Sequence, residues 1–145
     1  MSNPDELAHI SKYLRKNHVL SLCAQADGDM WCASCFYVTD PENMTLYLMT
    51  ELKTRHGALM QQNPQVVGTI SAQIKSVALI KGIQFSAQAT ILQGEDEQRA
   101  RHLYCKRFPV AKVMKAPIWQ LSLSDIKMTD NVLGFGKKIF WSRSQ

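Results

Sequence analysis

Apolar and polar positions alternate over much of the chain. From Ile83 the sequence runs Ile83, Phe85, Ala87, Ala89 and Ile91 on one side, with Gln84, Ser86, Gln88 and Thr90 on the other. Strict period two of this kind marks a strand with one face in a core. The strand is predicted over Val77–Leu92, with Gly82 as the place for a bend or bulge. Similar patterns predict strands over 18–25, 30–39, 44–50, 65–73, 118–128 and 139–141. Asp27-Gly28-Asp29 separates the first two as a hairpin turn, and Asp40-Pro41-Glu42-Asn43 separates the second and third.

Helical spacing appears in three places. Asn3, Pro4 and Glu6 have the arrangement of a capped helix start, and Leu7, Ile10 and Leu14 then form one apolar stripe ending near Asn17. Thr54 is the expected N-cap of a second helix that carries Leu59 and Met60 and stops at Asn63-Pro64. Gly94-Glu95-Asp96-Glu97 opens a third, with acids in the first turn and Ala100, Leu103, Tyr104 and Phe108 as its stripe. Pro109 starts a short further helix, closed by Pro117. A strand meander with a few helices predicts an α+β fold, and closure into a small barrel would remove the exposed strand edges.

The length of 145 residues suits one domain spanning 1–145 with a core of its own. No apolar run approaches the ~18 residues of a membrane-spanning helix. The stretch MSNPDELAHISKYL carries early acids and no apolar run of a signal peptide, so a cytoplasmic protein is expected. Charge is uneven. Residues 1–98 hold 7 Lys/Arg against 10 Asp/Glu, whereas 99–145 hold 10 against 2. The basic half could face an anionic ligand, an acidic partner or only solvent. Lys106, Arg107, Lys112 and Lys115 make a basic segment, but no nucleic-acid motif accompanies it, which argues against nucleic acid.

Few groups have the spacing of a catalytic or metal site. Cys32-Ala33-Ser34-Cys35 is a C-x-x-C inside a strand pattern, so its sulfurs should point to opposite faces, as structural cysteines. His9, His18, His56 and His102 have no Ser or Cys partner at motif spacing. The densest chemistry is Thr50 to Pro64, TELKTRHGALMQQNP, where a strand delivers Lys53, Thr54, Arg55 and His56 to a helix start. Thr54 can give a hydroxyl, Arg55 a two-pronged contact and the first turn its free N–H groups to a phosphate. The same residues also fit a capped helix with exposed charges. Lys137 and Lys138 follow a Gly-Phe-Gly turn and precede Trp141, an arrangement able to clamp an anionic aromatic ligand or simply to finish a barrel.

Taken together, strand, TELKTRHGALMQQNP and strand resemble the FMN-binding split barrels of the pyridoxamine 5′-phosphate oxidase type. Their usual form is T-x-x-x-S-x-K, a helix, then N/D-P. Nearly the whole chain is closer still to a small bacterial group, the YhbP-like proteins, through TELKTRH, VALIKGIQF, RFPVAK and TDNVLGFGKK. The resemblance implies an antiparallel six- to seven-stranded split β-barrel with peripheral helices. It implies a homodimer with FMN at the subunit interface and flavin chemistry of an oxidoreductase; no membrane partner is expected from the apolar pattern. By the same resemblance Thr50, Thr54 and His56 fall on phosphate-side positions, and Ser34, Cys35 and Phe36 line the isoalloxazine ring. Lys137, Lys138 and Trp141 would reach in from the partner. His56 stands in place of the family's Lys, Ser34 in place of a phosphate-binding Arg, and Gly82-Ile83-Gln84 in place of Gln-Val-Arg. Arg55 or Lys81 are then the cations left to compensate. The oxidases' substrate-binding residues have no counterparts, so pyridoxamine phosphate oxidation is not expected. A non-catalytic binder of flavin, haem or another anionic cofactor on the same scaffold is the alternative, and an interaction protein using the basic half a third.

Overall fold

A computed structural model of the protein describes residues 3–143. Helix α1 (Pro4–Lys16) begins where Asn3 accepts the Asp5 N–H at 2.8 Å, and it buries Ile10, Tyr13 and Leu14. Strands β1 (Val19–Ala26) and β2 (Asp29–Asp40) are joined by Asp27 and Gly28, both at positive φ (50° and 81°). Two left-handed residues make the turn whose twist matches that of a two-strand ribbon. The turn sets the register of the hairpin, with Ala26 opposite Asp29 and Cys23 opposite Cys32. Strand β3 (Thr45–Met49) then pairs with the far half of β2.

Helix α2 (Arg55–Gln62) packs against β1 and β2 and leads to β4 (Gln65–Ser71). Strand β5 (Lys81–Ile91) keeps the strict alternation, with Ile83, Phe85, Ala87 and Ala89 all buried. It starts later than the pattern predicts: Val77–Leu79 is a single 3₁₀ turn with no buried residue. Gly82 carries no bulge either. The irregularity falls between Ser86 and Ala87, opposite Asp125 and Leu123, so the extra residue is Ser124 on β6. Helix α3 (Gly94–Arg107) and a 3₁₀ segment (Pro109–Val113) precede β6 (Ile118–Asp130) and β7 (Lys138–Ser142).

The strands form one antiparallel sheet in the order β3-β2-β1-β4-β5-β6-β7. Strand β3 also pairs with β6, Leu46 opposite Leu121 and Leu48 opposite Trp119. Six strands therefore close into a ring and β7 extends it, which leaves few open edges. The ring encloses the main core, built from Leu20, Leu22, Leu46, Leu48, Ile83, Leu121 and Leu123 among others. A second apolar cluster lies outside it, where Tyr47 and Val38 meet Ala100, Tyr104 and Ile118. Both faces of β3 are thus buried, which explains its continuous apolar run. At Gly68, on β4, a Cβ would sit 2.3 Å from the Ser21 carbonyl and 2.5 Å from the Phe85 ring. Only glycine lets β4 and the Phe85 ring approach this closely.

Candidate functional site

The chain turns sharply as it leaves β3. Thr50 is 8% exposed, and its backbone is tied on both sides. Its N–H donates to the Pro117 carbonyl at 3.2 Å, and its carbonyl accepts from Trp119 Nε1 at 3.2 Å. Trp119 is itself buried in the core, so the position of Thr50 is set by the barrel rather than by a loop. The Thr50 hydroxyl lies 2.7 Å from His56 Nε2. Burial lowers the His56 pKa below its ordinary 6.5, so the imidazole is neutral at pH 7.

Thr54 caps α2 as expected. Its hydroxyl accepts the Gly57 N–H at 3.0 Å and donates to the Glu51 carbonyl at 2.7 Å. Gly57 has no room for a side chain, since a Cβ would lie 2.3 Å from that same Glu51 carbonyl. The N–H groups of Arg55 and His56 fall in the first turn, where no carbonyl of the helix reaches them. Arg55 reaches away from this corner. Its guanidinium binds both carboxylate oxygens of Asp29, at 2.5 and 3.3 Å, and lies 4.1 Å from the centre of the Trp31 ring. The hydrogen bond from Arg55 holds the Asp29 carboxyl below its usual range. Lys53 is 3.4 Å from Glu51 and exposed. The corner therefore collects one hydroxyl–imidazole pair and two amides. Among the described residues its two nearby cations are both committed, Arg55 to Asp29 and Lys53 to Glu51.

On β2, Ser34 and Phe36 point outward and Cys35 inward. Burial pushes the Cys35 thiol up to about 11, so it stays protonated at neutral pH. Phe36 is 54% exposed; it stacks with His18 at 6.0 Å and meets Phe108 at 5.3 Å. The Tyr104 hydroxyl donates to the Phe36 carbonyl at 3.2 Å.

The remaining candidates lie on β5, on β7 and at Lys137 just before it; Gln84 and Trp141 stand opposite Lys127 and Ile126 of β6, well along that strand from Ile118, which faces Met49 beside the corner. Lys81 is 4.0 Å from Asp130. Gln84 and Trp141 line an open groove with Ser86, Asp125, Phe140 and Ser142. Trp141 also packs against the main core, under the Arg143 guanidinium at 5.5 Å. Lys138 stands opposite Thr129, and the Lys137 carbonyl accepts the Asp130 N–H at 3.0 Å. One chain thus brings Thr50, Thr54 and His56 to a single corner and holds Lys81, Gln84, Lys137, Lys138 and Trp141 elsewhere.

Three relationships escaped sequence reasoning. His9 Nε2 is 2.5 Å from the Asp130 carboxylate, which is 1% exposed. Burial alone would raise the Asp130 pKa. The His9 bond, the Val132 and Leu133 N–H groups and Lys81 outweigh it and leave the pKa low. Asp29 with Arg55 and Cys23 opposite Cys32 are the others. Cys23 and Cys32 could have been paired by counting back from Asp27-Gly28; the other two join distant segments and leave no spacing signal. Among the described residues no group of three or more His, Cys, Asp or Glu could hold a metal ion. No helix among them is long and apolar enough to cross a membrane.

No family model matches the chain. It is 62% identical over 143 residues to the UPF0306 protein YE0465 of Yersinia enterocolitica, covering 99% of this chain and 97% of that one. Among solved structures, a heme binding protein from Mycobacterium smegmatis superposes with a TM-score of 0.80 at 16% identity, over 98% of this chain and 60% of that one. A FAD-binding protein from Mesorhizobium loti gives 0.66 at 14% identity, over 83% and 91%. A Listeria innocua protein named for pyridoxamine 5′-phosphate oxidase gives 0.67 at 13%, over 84% and 96%. Likeness at such identities shows the fold, an antiparallel split barrel of the pyridoxamine 5′-phosphate oxidase type.

Proposed function

The chain belongs to the UPF0306 family, the YhbP-like group, and on that premise we propose that it is a split-barrel binder of FMN. The observation that carries this reading is the Thr50–His56 pair at 2.7 Å beside the Arg55 and His56 N–H groups of the α2 first turn, which have no acceptor within the helix. A hydroxyl, an imidazole and two N–H groups converging at a helix start suit the oxygens of a phosphate. Flavin-binding and haem-binding proteins of the same fold support a cofactor in this scaffold.

The residues fit the group with one reservation of charge. Arg55 is committed to Asp29 and His56 is neutral at pH 7. Binding therefore draws a proton onto His56, and the phosphate is held more tightly as the pH falls. Ser34 and the β2 backbone through Cys35 to Phe36 orient the ring from one side. Bound flavin would supply hydride acceptance and donation; the chain's part is to position the ring and shield it from water. No residue is assigned a proton-transfer role. A cytoplasmic homodimer completes the reading: Gln84 and Trp141, with Lys137 and Lys138 nearby, stand toward the end of β6 away from Ile118 and the corner, and in a dimer they would serve the partner's corner.

Haem is the second reading, favoured by the same commitment of both nearby cations. A propionate carries one negative charge where a phosphate carries about 1.5 to 2 at pH 7, so it asks less of a neutral His56. The purified protein's visible spectrum, with FMN and haem added in turn, decides. Flavin bands perturbed by FMN and weakened in Thr54→Ala support the first reading, and a shifted Soret band supports the second. No spectral change with either at saturation overturns both.

A further inference from the structure

Cys23 and Cys32 face each other across the β1–β2 hairpin, and neither belongs to the corner described above. The pairing follows from the turn. Asp27 and Gly28 form a two-residue loop, so the closing pair Ala26–Asp29 exchanges both backbone hydrogen bonds. Hydrogen-bonded and non-hydrogen-bonded pairs then alternate along the ribbon. Counting back through Gln25–Met30 and Ala24–Trp31, Cys23–Cys32 is a non-hydrogen-bonded pair. Such pairs have Cα atoms about 4.5 Å apart and the closest side chains in the sheet. That spacing lies inside the range a disulfide spans, about 4.4–6.8 Å between Cα atoms.

Burial raises the Cys23 pKa, and the neighbouring Cys32 thiol raises it further. Cys32 is exposed and Cys23 half-buried, whereas Cys35 and Cys105 are buried. Cys35 also lies on the inner face of the same strand, so it cannot compete for Cys32.

We propose that Cys23 and Cys32 are a modification site, a cross-strand dithiol that closes reversibly to a disulfide in exchange with a small-molecule disulfide of the glutathione class. The Cys32 thiolate attacks one sulfur of the oxidised reagent, forming a mixed disulfide and expelling one thiolate. The Cys23 thiolate then attacks the Cys32 sulfur and expels the second thiolate, which takes up a proton. Overall two protein thiols become one disulfide, and one reagent disulfide becomes two thiols. The backbone needs little movement, because the register has already set the two residues opposite each other. The link is internal to one hairpin and involves no cofactor, so its outcome is separate from the FMN reading.

The test uses fully reduced, folded protein equilibrated with oxidised glutathione, then alkylated and mapped by mass spectrometry. Two of the four thiols should be lost, with one peptide link joining Cys23 to Cys32. Excess reduced glutathione should restore both thiols. Cys23→Ser should trap glutathione on Cys32, and this variant needs only its reduced fold to be read. If all four thiols alkylate after equilibration, the proposal is wrong. It is equally wrong if the link that forms involves Cys35 or Cys105, or joins two chains.

Discussion

Thr50 and His56 stand 2.7 Å apart across the corner between β3 and α2, with Thr50 fixed by Trp119 and His56 by the first turn of the helix. A buried neutral imidazole has a consequence for stability. The folded chain holds the His56 pKa below the 6.5 of the unfolded chain. Below pH 6.5 the unfolded state binds the proton more readily, so stability is full above that value and is lost as pH falls towards the folded pKa. Urea midpoints measured between pH 7.5 and 5.5 should decline for the wild type and stay flatter for His56→Gln.

Asp130 behaves in the opposite chemical class but with the same trend. Its folded pKa lies below 3.8, so the stability it contributes is present above 3.8 and is lost as pH falls through the folded value. Asp130→Ala leaves His9 and the Val132 and Leu133 N–H groups without their acceptor. An unmatched buried polar group costs about 1–3 kcal/mol. Thermal unfolding of the variant should show a loss of that size at pH 7, and a smaller loss at pH 3.

Asp29 sequesters the Arg55 guanidinium. Asp29→Asn should release Arg55 and strengthen FMN binding, and Arg55→Ala should weaken it less than Thr54→Ala does. Flavin titrations of the three variants check this. If Asp29→Asn leaves affinity unchanged while Arg55→Ala abolishes it, Arg55 acts on the ligand from its present place and the corner has been misassigned.

Gly68 marks a close approach in the barrel. Gly68→Ala would push a methyl into the Ser21 carbonyl and the Phe85 ring, and overpacking of this kind costs about 1–3 kcal/mol. A denaturant midpoint equal to that of the wild type would mean that β4 relaxes away from Phe85.

The fold was legible because its signals are local. Ile83 to Ile91 alternates without a break, Asp27-Gly28 closes a ribbon, and Thr54 with Asn63-Pro64 brackets α2. The misplaced start of β5 has a local cause too. Val77 and Leu79 are as apolar as strand residues, but they are exposed in a 3₁₀ turn, where nothing covers them. The site was legible only in part. Its residue types could be gathered from Thr50 to His56, but the partner of Arg55 lies 26 positions earlier and that of His9 lies 121 later. Such pairings depend on how the ring closes, and β3 meets β6 from Thr45 opposite Ser122 to Met49 opposite Ile118, across a long stretch of chain.

The most direct measurement is a paired titration of the purified protein with FMN and riboflavin at pH 8 and pH 6.5, followed by flavin fluorescence. Riboflavin has the same ring and no phosphate. If the corner binds the phosphate, FMN binds more tightly than riboflavin, its affinity rises severalfold on acidification, and riboflavin stays level. His56→Lys, which carries its charge at both pH values, should bind FMN roughly tenfold more tightly at pH 8, a gain of about 1.4 kcal/mol. Equal affinities for FMN and riboflavin at both pH values, or no binding of either, would contradict the account.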